Sequence, residues 1–181
     1  TPLQCAAYAG NLACIELLLK YGADINFSEG KVGTSLHAAG ASGNLSAFQL
    51  LLERGANPNV VRGQYGSVLW AAGYGGDREC VRICLQRGLK HEIHMRTPLL
   101  WAAAEGHIET VKYLAMEGAN LDVWGRGLET PLEFGCLAGR LDMVKCLLAL
   151  GARAEFRQAG KYRTAVVCAD ISGNKELVEF L

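Results

Sequence analysis

The stretch of the chain richest in possible metal ligands reads His91-Glu-Ile-His94. Two histidines beside a glutamate could bind zinc, and the glutamate could then act as a general base. That chemistry needs the two histidines four residues apart on one helix face, with the glutamate next to the first. Here the second histidine follows three residues after the first, in a predicted loop, without a third ligand. The sequence therefore does not predict a zinc site at this stretch.

Two further motifs could support chemistry, but the sequence explains both structurally. Cys80 and Cys84 lie four residues apart on a predicted helix, where both fall on its core face. The glycines of Gly73-Tyr-Gly-Gly76 could suggest a phosphate loop, yet no Gly-Lys-Ser/Thr sequence follows them. No Ser-His-Asp or Cys-His arrangement can be argued from the sequence. We therefore predict that this chain is not an enzyme and binds no metal or cofactor.

These glycines belong instead to a pattern that repeats about every 33 residues along the chain. Counting the opening residue of each unit as the first place, the openers are Thr1, Thr34, Ser67, Thr97, Thr130 and Thr164. A glycine recurs at the tenth place in Gly10, Gly43, Gly76, Gly106, Gly139 and Gly173. A second glycine recurs in Gly22, Gly55, Gly88, Gly118 and Gly151. The pattern therefore predicts a structural unit that repeats along the chain.

Each recurring residue has a physical role in a pair of helices. The opening threonine is a good N-cap, and proline at the first helical position loses no hydrogen bond. Small alanines keep the first helix thin, and the first glycine ends it. The second helix has apolar residues at helical spacing, as in Val144, Leu147 and Leu148, and the second glycine suits its left-handed end. A turn-rich stretch then returns the chain as a projecting hairpin loop.

One unit cannot bury its own apolar faces, whereas stacked units share a continuous core. The runs Thr-Pro-Leu-Gln-Cys-Ala-Ala from Thr1, Thr-Pro-Leu-Leu-Trp-Ala-Ala from Thr97 and Gly-Ala-Asp-Ile-Asn from Gly22 closely resemble the ankyrin repeat. The resemblance covers essentially the whole chain. It implies an all-α repeat solenoid of helix-turn-helix units with a β-hairpin or loop, comprising five complete repeats and a truncated sixth. We interpret residues 1–181 as a single array and, because neither end has a polar cap, as a fragment of a longer chain.

The loops show a finer resemblance. Segments such as Gly63-Gln-Tyr-Gly66, directly before an opening residue, look like the ankyrin arrays of large fungal proteins, including NACHT-type nucleotide-binding receptors. Those families carry such arrays at the C-terminus. The resemblance therefore implies an alternative function, in which this segment regulates or supports an attached enzyme or NTPase of the same chain.

The third unit is the least regular. Ser67 and Val68 replace Thr-Pro, Arg78 replaces an apolar residue at the start of the second helix, and the following loop is shorter than the others. Because solenoid stability is close to a sum over neighbouring repeats, such a change acts locally. We expect the weakest contact between repeats to lie between the third and fourth units.

Composition excludes several classes of function. Eighteen Lys and Arg residues balance 18 Asp and Glu residues, so general electrostatic binding to nucleic acid is not expected. The apolar runs are too short and too interrupted for membrane insertion. None of the seven cysteines forms a Cys-x-x-Cys pair, and all occupy places that suit a small apolar side chain. We therefore expect buried, reduced thiols in a cytoplasmic or nuclear protein.

What remains for function is the surface. Ankyrin repeats usually bind partners on the hairpin tips and the exposed side of the first helices, which implies a non-catalytic protein-protein interaction module. Its partner would be another protein or another domain of the same chain. Aromatic and Arg side chains are typical anchors in such places. The candidate partner-binding residues are Tyr8, Tyr65, Tyr74, Glu105, Trp124 and Arg126.

Some of these aromatic residues have an alternative role. Tyr65 and Trp124 could pack locally and stiffen their hairpins without touching a partner. Trp101 falls at an inward place of its helix, and we predict that it belongs to the core.

Overall fold

The computed structural model describes residues 1–89, 97–123, 130–154 and 165–181. Within these residues the chain forms twelve α-helices in six consecutive pairs and no regular β-strand. A single antiparallel bridge joins Arg62 and Gly66 in the second hairpin loop. The helices are α1 (Pro2–Ala9), α2 (Leu12–Lys20), α3 (Ser35–Ala41), α4 (Leu45–Glu53), α5 (Val68–Gly75), α6 (Arg78–Gln86), α7 (Pro98–Glu105), α8 (Ile108–Met116), α9 (Pro131–Leu137), α10 (Leu141–Ala149), α11 (Ala165–Ser172) and α12 (Lys175–Phe180).

The chain divides into two compact units, Thr1–Ile93 and His94–Leu181. In the first unit α3 lies between α1 and α5, and α4 packs against α2 and α6. In the second unit α9 lies between α7 and α11, and α10 packs against α8 and α9. Each unit is therefore a short stack of helix pairs, with the first helices side by side in one row.

The opening residue of a repeat caps its first helix, as the sequence predicts. The side-chain oxygen accepts a hydrogen bond from the backbone N–H three residues later, at 3.1 to 3.4 Å in all five described cases. These capping residues are Thr1, Thr34, Ser67, Thr97 and Thr130. A cap of this kind contributes about 1 kcal/mol because it satisfies a backbone donor that the helix itself cannot.

A leucine at the third place of each of the first five repeats anchors the core. Leu36, Leu69 and their counterparts in the first, fourth and fifth repeats are at most 3% exposed. Behind them lies the buried face of each second helix, formed by Ile15, Phe48, Val81, Val111 and Val144. Burying an aliphatic side chain of this size contributes about 1.5–3 kcal/mol, so the stacking of pairs is driven by these layers.

Two glycines let α3 and α5 approach closely. A Cβ added to Gly75 would overlap the carbonyl oxygen of Gly40 and would lie 2.6 Å from the backbone nitrogen of Gly43. A Cβ on Gly40 would lie 3.3 Å from the backbone nitrogen of Ala72. Gly75 thus serves backbone-to-backbone packing between neighbouring repeats.

Side chains at both edges of the stacks bond to the backbone of a neighbouring repeat. On the loop edge, the Asn57 N–H donates to Asn26 Oδ1 at 2.8 Å, and the Arg153 N–H donates to Asp122 Oδ1 at 2.9 Å. On the opposite edge, Arg140 Nε donates to the Ala104 carbonyl at 2.8 Å. These bonds satisfy polar backbone groups that neither helices nor strands would pair.

His37 joins three parts of the first unit. Its Nδ1 accepts from the Thr34 N–H at 3.2 Å and lies 2.8 Å from Thr34 Oγ1, while its Nε2 lies 3.2 Å from the Gly66 carbonyl oxygen. A carbonyl can only accept, so Nε2 carries the proton and the ring is neutral. Burial lowers the pKa of His37 to about 4, against the hydrogen bonds to the Gly66 and Val60 backbone, which raise it.

We expect Gly75→Ala to destabilise the chain by at least about 2 kcal/mol, because the new methyl group meets backbone atoms that cannot move aside alone. Gly135→Ala is the matched control. Its Cβ would meet only side-chain atoms, the nearest at 3.4 Å, and alanine favours a helix over glycine by up to about 1 kcal/mol. Urea denaturation measures both variants, and equal stabilities would contradict the close approach of α3 and α5.

We expect the stability of the chain to fall as pH decreases from about 6.5 toward about 4. In this window the unfolded chain protonates His37 while the folded chain does not, so protons favour unfolding. The loss due to His37 between about pH 7 and pH 5 is about 2 kcal/mol. The control is His37→Gln, since Gln4 fills the same place in the first repeat and donates to the Gly33 carbonyl. Identical pH dependence in wild type and variant would rule out His37 as the source.

Candidate functional site

Three aromatic side chains meet where the second hairpin loop touches α5. The Tyr65 and Tyr74 ring centroids lie 5.4 Å apart, and the Tyr65 and Trp70 centroids lie 5.9 Å apart in an edge-on arrangement. Trp70 is buried, whereas Tyr65 and Tyr74 are half-buried. This aromatic cluster, formed by Tyr65, Trp70 and Tyr74, brings two of the candidate residues together. One comes from a hairpin tip and the other from a first helix.

The loop that carries Tyr65 is held by its neighbour. The Gln64 N–H donates to the Lys31 carbonyl at 2.6 Å, which links the second hairpin loop to the first. Gly63, with φ +68°, lies so close to the first loop that an added Cβ would be 2.5 Å from the Gly33 nitrogen. With His37 Nε2 bound to the Gly66 carbonyl, the tip is fixed from two sides. The backbone that carries Tyr65 is therefore held in place by contacts on two sides.

The other candidate residues are more scattered. Tyr8 is exposed on α1, with 56% of its surface accessible, and lies at the eighth place, which Ala41 fills in α3 and Tyr74 in α5. Glu105 is half-buried in α7 of the second unit. Trp124 and Arg126 lie outside the described residues. The local role proposed for Tyr65 also has support, because its ring does pack within its own repeat.

The second unit has an aromatic pair that our sequence analysis did not select. Trp101 of α7 and Phe134 of α9 have ring centroids 6.5 Å apart, and both side chains are half-buried. The prediction that Trp101 belongs to the core is therefore wrong. Both residues occupy the fifth place, where the first three repeats have Cys5, Ala38 and Ala71. A large residue at this place extends beyond the small side chains that usually stand there. A search for bulky residues at that place would have found the pair.

The described residues contain several possible metal ligands and buried thiols. No three His, Cys, Asp or Glu side chains among them lie close enough to hold a metal ion. Burial raises the pKa of Cys80 and raises the pKa of Cys84 and of Cys136 to about 12, so these thiols stay protonated. His91 and His94 lie outside the described residues. None of the helices in the described parts of the chain is long and apolar enough to span a membrane.

Comparison with protein families gives the same reading as the geometry. The family model "Ankyrin repeats (3 copies)" matches residues 1–62 and 68–158. The chain belongs to the ankyrin repeat family. This confirms the predicted repeat and the all-α solenoid fold. The ankyrin repeat is a non-catalytic protein-protein interaction fold, so the observed class of structure is one that binds other proteins.

Individual ankyrin repeat proteins are similar over parts of this chain. The ankyrin repeat and SOCS box protein 11 of Homo sapiens is 37% identical over 67 residues, which are 37% of this chain and 21% of that protein. The ankyrin repeat family A protein 2 of Mus musculus is 46% identical over 46 residues, or 25% of this chain and 15% of that protein. The matches thus span about a fifth or less of the curated relatives.

A solved structure is similar over almost the full chain. The crystal structure of the human ASB11 ankyrin repeat domain has a TM-score of 0.86 and 31% sequence identity. The match covers 99% of this chain and 81% of that one. The described helix pairs therefore correspond to those of an experimentally determined ankyrin repeat domain.

Three of the seven cysteines differ from our expectation that all are buried. Cys80, Cys84, Cys136 and Cys168 are buried as predicted, but Cys5 and Cys14 are exposed and Cys146 is half-buried. In the second repeat, which packs on the first, the corresponding places hold Ala38 and Ala47, and both are buried. Side chains at these two places become buried only where another repeat packs on that side. The second repeat packs on the opposite side of the first repeat, so Cys5 and Cys14 stay exposed.

Thiol labelling of the folded chain should separate these cysteines. We expect iodoacetamide to modify Cys5 and Cys14 rapidly, because both are exposed, and Cys146 more slowly, because burial raises the pKa of its thiol. The four buried cysteines should react only after denaturant is added. Mass spectrometry of the digested protein locates each modification. Modification of Cys84 or Cys136 in the folded chain at the rate of Cys5 would contradict the packing.

Proposed function

We propose that this ankyrin repeat array is a non-catalytic binding module whose partner protein docks on the hairpin tips and the exposed side of the first helices. The observation that supports this placement is the aromatic cluster of Tyr65, Trp70 and Tyr74. In it, a side chain of a hairpin tip contacts two side chains of a first helix. Tyr8 on α1 extends the same row of first helices.

The cluster has the physical properties of a binding anchor. Tyrosine offers a large apolar ring and a polar hydroxyl, with few rotatable bonds to immobilise on binding. Here the rings already contact one another, and the loop beneath them is bonded to the neighbouring loop through Gln64 and Lys31. Binding would therefore cost little ordering of the protein, which leaves more of the contact energy for affinity.

The proposal predicts that capture of a partner depends on the cluster. We expect Tyr65→Ala/Tyr74→Ala to weaken binding by about tenfold or more, since truncated aromatic anchors typically lose more than 1 kcal/mol each. The matched control is Tyr21→Ala, because Tyr21 is 80% exposed at the end of α2 and away from the cluster. Immobilised wild type, cluster variant and control are each incubated with extract of the cells that express the protein. Bound proteins are identified by mass spectrometry.

The comparison of the three resins decides the question. Proteins held by wild type and by the Tyr21 variant, but lost from the cluster variant, would support the proposed surface. Equal capture by all three would exclude the cluster as the interface. Circular dichroism and urea denaturation of each variant show that the loss is not caused by unfolding.

A further inference from the structure

Two buried cysteines lie on neighbouring first helices of the second unit. Cys136 stands at the seventh place of the fifth repeat, on α9, and Cys168 stands at the fifth place of the sixth repeat, on α11. The two helices pack against each other, and both side chains are 0% exposed. Both carry reduced thiols. Two oxidisable groups are therefore buried at one junction between repeats, and we call this pair the dithiol site.

The register of the repeats brings these two side chains together. In the second and third repeats, the same two places hold Gly40 and Ala71. A Cβ added to Gly40 would lie 3.6 Å from the carbonyl carbon of Ala71, so the seventh place of one repeat contacts the fifth place of the next. Burial raises the pKa of the Cys136 thiol to about 12, and electrostatic repulsion from Cys168 contributes to that shift, as expected of a near neighbour.

Cysteine fills both of these facing places at this junction alone. The seventh place of the first four repeats holds Ala7, Gly40, Gly73 and Ala103, and the fifth place of the first five holds Cys5, Ala38, Ala71, Trp101 and Phe134. The other two buried cysteines, Cys80 and Cys84, lie one turn apart on the single helix α6. Cβ atoms at that spacing are about 5–6 Å apart, whereas a disulfide needs about 3.5–4.5 Å. A disulfide therefore suits the dithiol site and does not suit α6.

We propose that Cys136 and Cys168 form a reversible redox site whose disulfide holds the sixth helix pair against the fifth. The oxidant is a peroxide. One thiol, as its thiolate, attacks a peroxide oxygen and breaks the O–O bond, which gives a sulfenic acid and one water. The second thiol attacks that sulfur, so the S–S bond forms, the S–O bond breaks and a second water leaves. Two electrons thus pass from the two sulfurs to the peroxide, and an external thiol reverses the reaction by exchange.

Opening of the sixth helix pair controls access to the dithiol site. The thiolate is the reactive form of cysteine, and a buried thiol stays protonated, so oxidation requires contact with water. The sixth pair is held by four buried side chains, those of Ala165, Cys168, Ala169 and Leu177. A segment with so few buried contacts opens more readily than the rest of a fold. Dilute urea therefore exposes both thiols while other repeats stay folded.

Oxidation of the chain in dilute urea tests the site. The background variant Cys5→Ser/Cys14→Ser/Cys146→Ser removes the more accessible thiols, which would link separate molecules. This chain is treated with hydrogen peroxide below its main unfolding transition, blocked with iodoacetamide and digested with trypsin without reductant. Trypsin leaves the two cysteines of the dithiol site on separate peptides, residues 127–140 and 164–175. We expect mass spectrometry to find these peptides joined, and dithiothreitol to separate them.

Hydrogen exchange gives a second signature. A disulfide that closes the loop of residues 136–168 restricts the opened state, so we expect the α11 amides to exchange about tenfold or more slowly after oxidation. The matched controls are Cys136→Ala and Cys168→Ala, because alanine fills the same places in other repeats. Each should fold and lose the effect of the oxidant, whereas Cys80→Ala should keep it.

Three outcomes would overturn the proposal. The first is linkage of Cys136 or Cys168 to Cys80 or Cys84 as often as to each other, which indicates random pairing. The second is no linked pair at urea concentrations where the α11 amides already exchange freely. The third is a linked pair that leaves α11 exchange unchanged. The dithiol site lies in the second unit, so its failure leaves the binding proposal at Tyr65 and Tyr74 unaffected.

Discussion

A hydrogen bond from the fourth place of a repeat to the next hairpin loop holds the first unit in register. Gln4 donates to the Gly33 carbonyl, and His37 Nε2 lies 3.2 Å from the Gly66 carbonyl. Both acceptors directly precede a residue that caps the next helix. The bond therefore links the beginning of one first helix to the beginning of the following one. The bond of His37 also fixes the loop that carries Tyr65. The candidate binding surface therefore depends on a buried hydrogen bond.

Features set by local chemistry were predictable from the sequence. Thr34 and Thr97 cap their helices because a short hydroxyl side chain reaches the N–H three residues later. The leucines of the third place are buried because helical spacing puts them on the inner face. Repetition strengthened each inference, since the same role had to hold in every unit. The family comparison and the structure agree with these predictions.

Features set by neighbours were harder to predict. Cys14 and Ala47 occupy the same place in the first and second repeats, yet Cys14 is exposed and Ala47 is buried. The difference depends on which side of a repeat another repeat covers, and a single unit's sequence carries no such information. Trp101 was misplaced for a related reason. The fifth place usually holds a small side chain. The large ring of Trp101 extends beyond this place and contacts Phe134 instead of filling the core.

The candidate site combines features that the sequence predicts with features that neighbouring repeats determine. Tyr65 and Tyr74 were selected separately, one for its loop and the other for its helix. The loop that carries Tyr65 is placed by the packing of Gly63 against Gly33, which brings two loops together at backbone distance. Such an approach is decided by three-dimensional fit between repeats, and spacing along the chain does not reveal it. The lack of Asp, Glu, Lys and Arg in α1, α3 and α5, by contrast, can be read directly from the sequence once the helices are aligned.

The close approach of α3 and α5 limits how the array can be rearranged. Gly75 stands where the fourth repeat carries Glu105, and a Cβ at this place would overlap backbone atoms of the second repeat. A crossover between the second and third repeats would place an ordinary repeat beside a glycine-dependent one and force the helices apart. Duplication or shuffling of single repeats is thus restricted at this junction. We therefore expect the second and third repeats to tolerate transfer to another array better as a pair than singly.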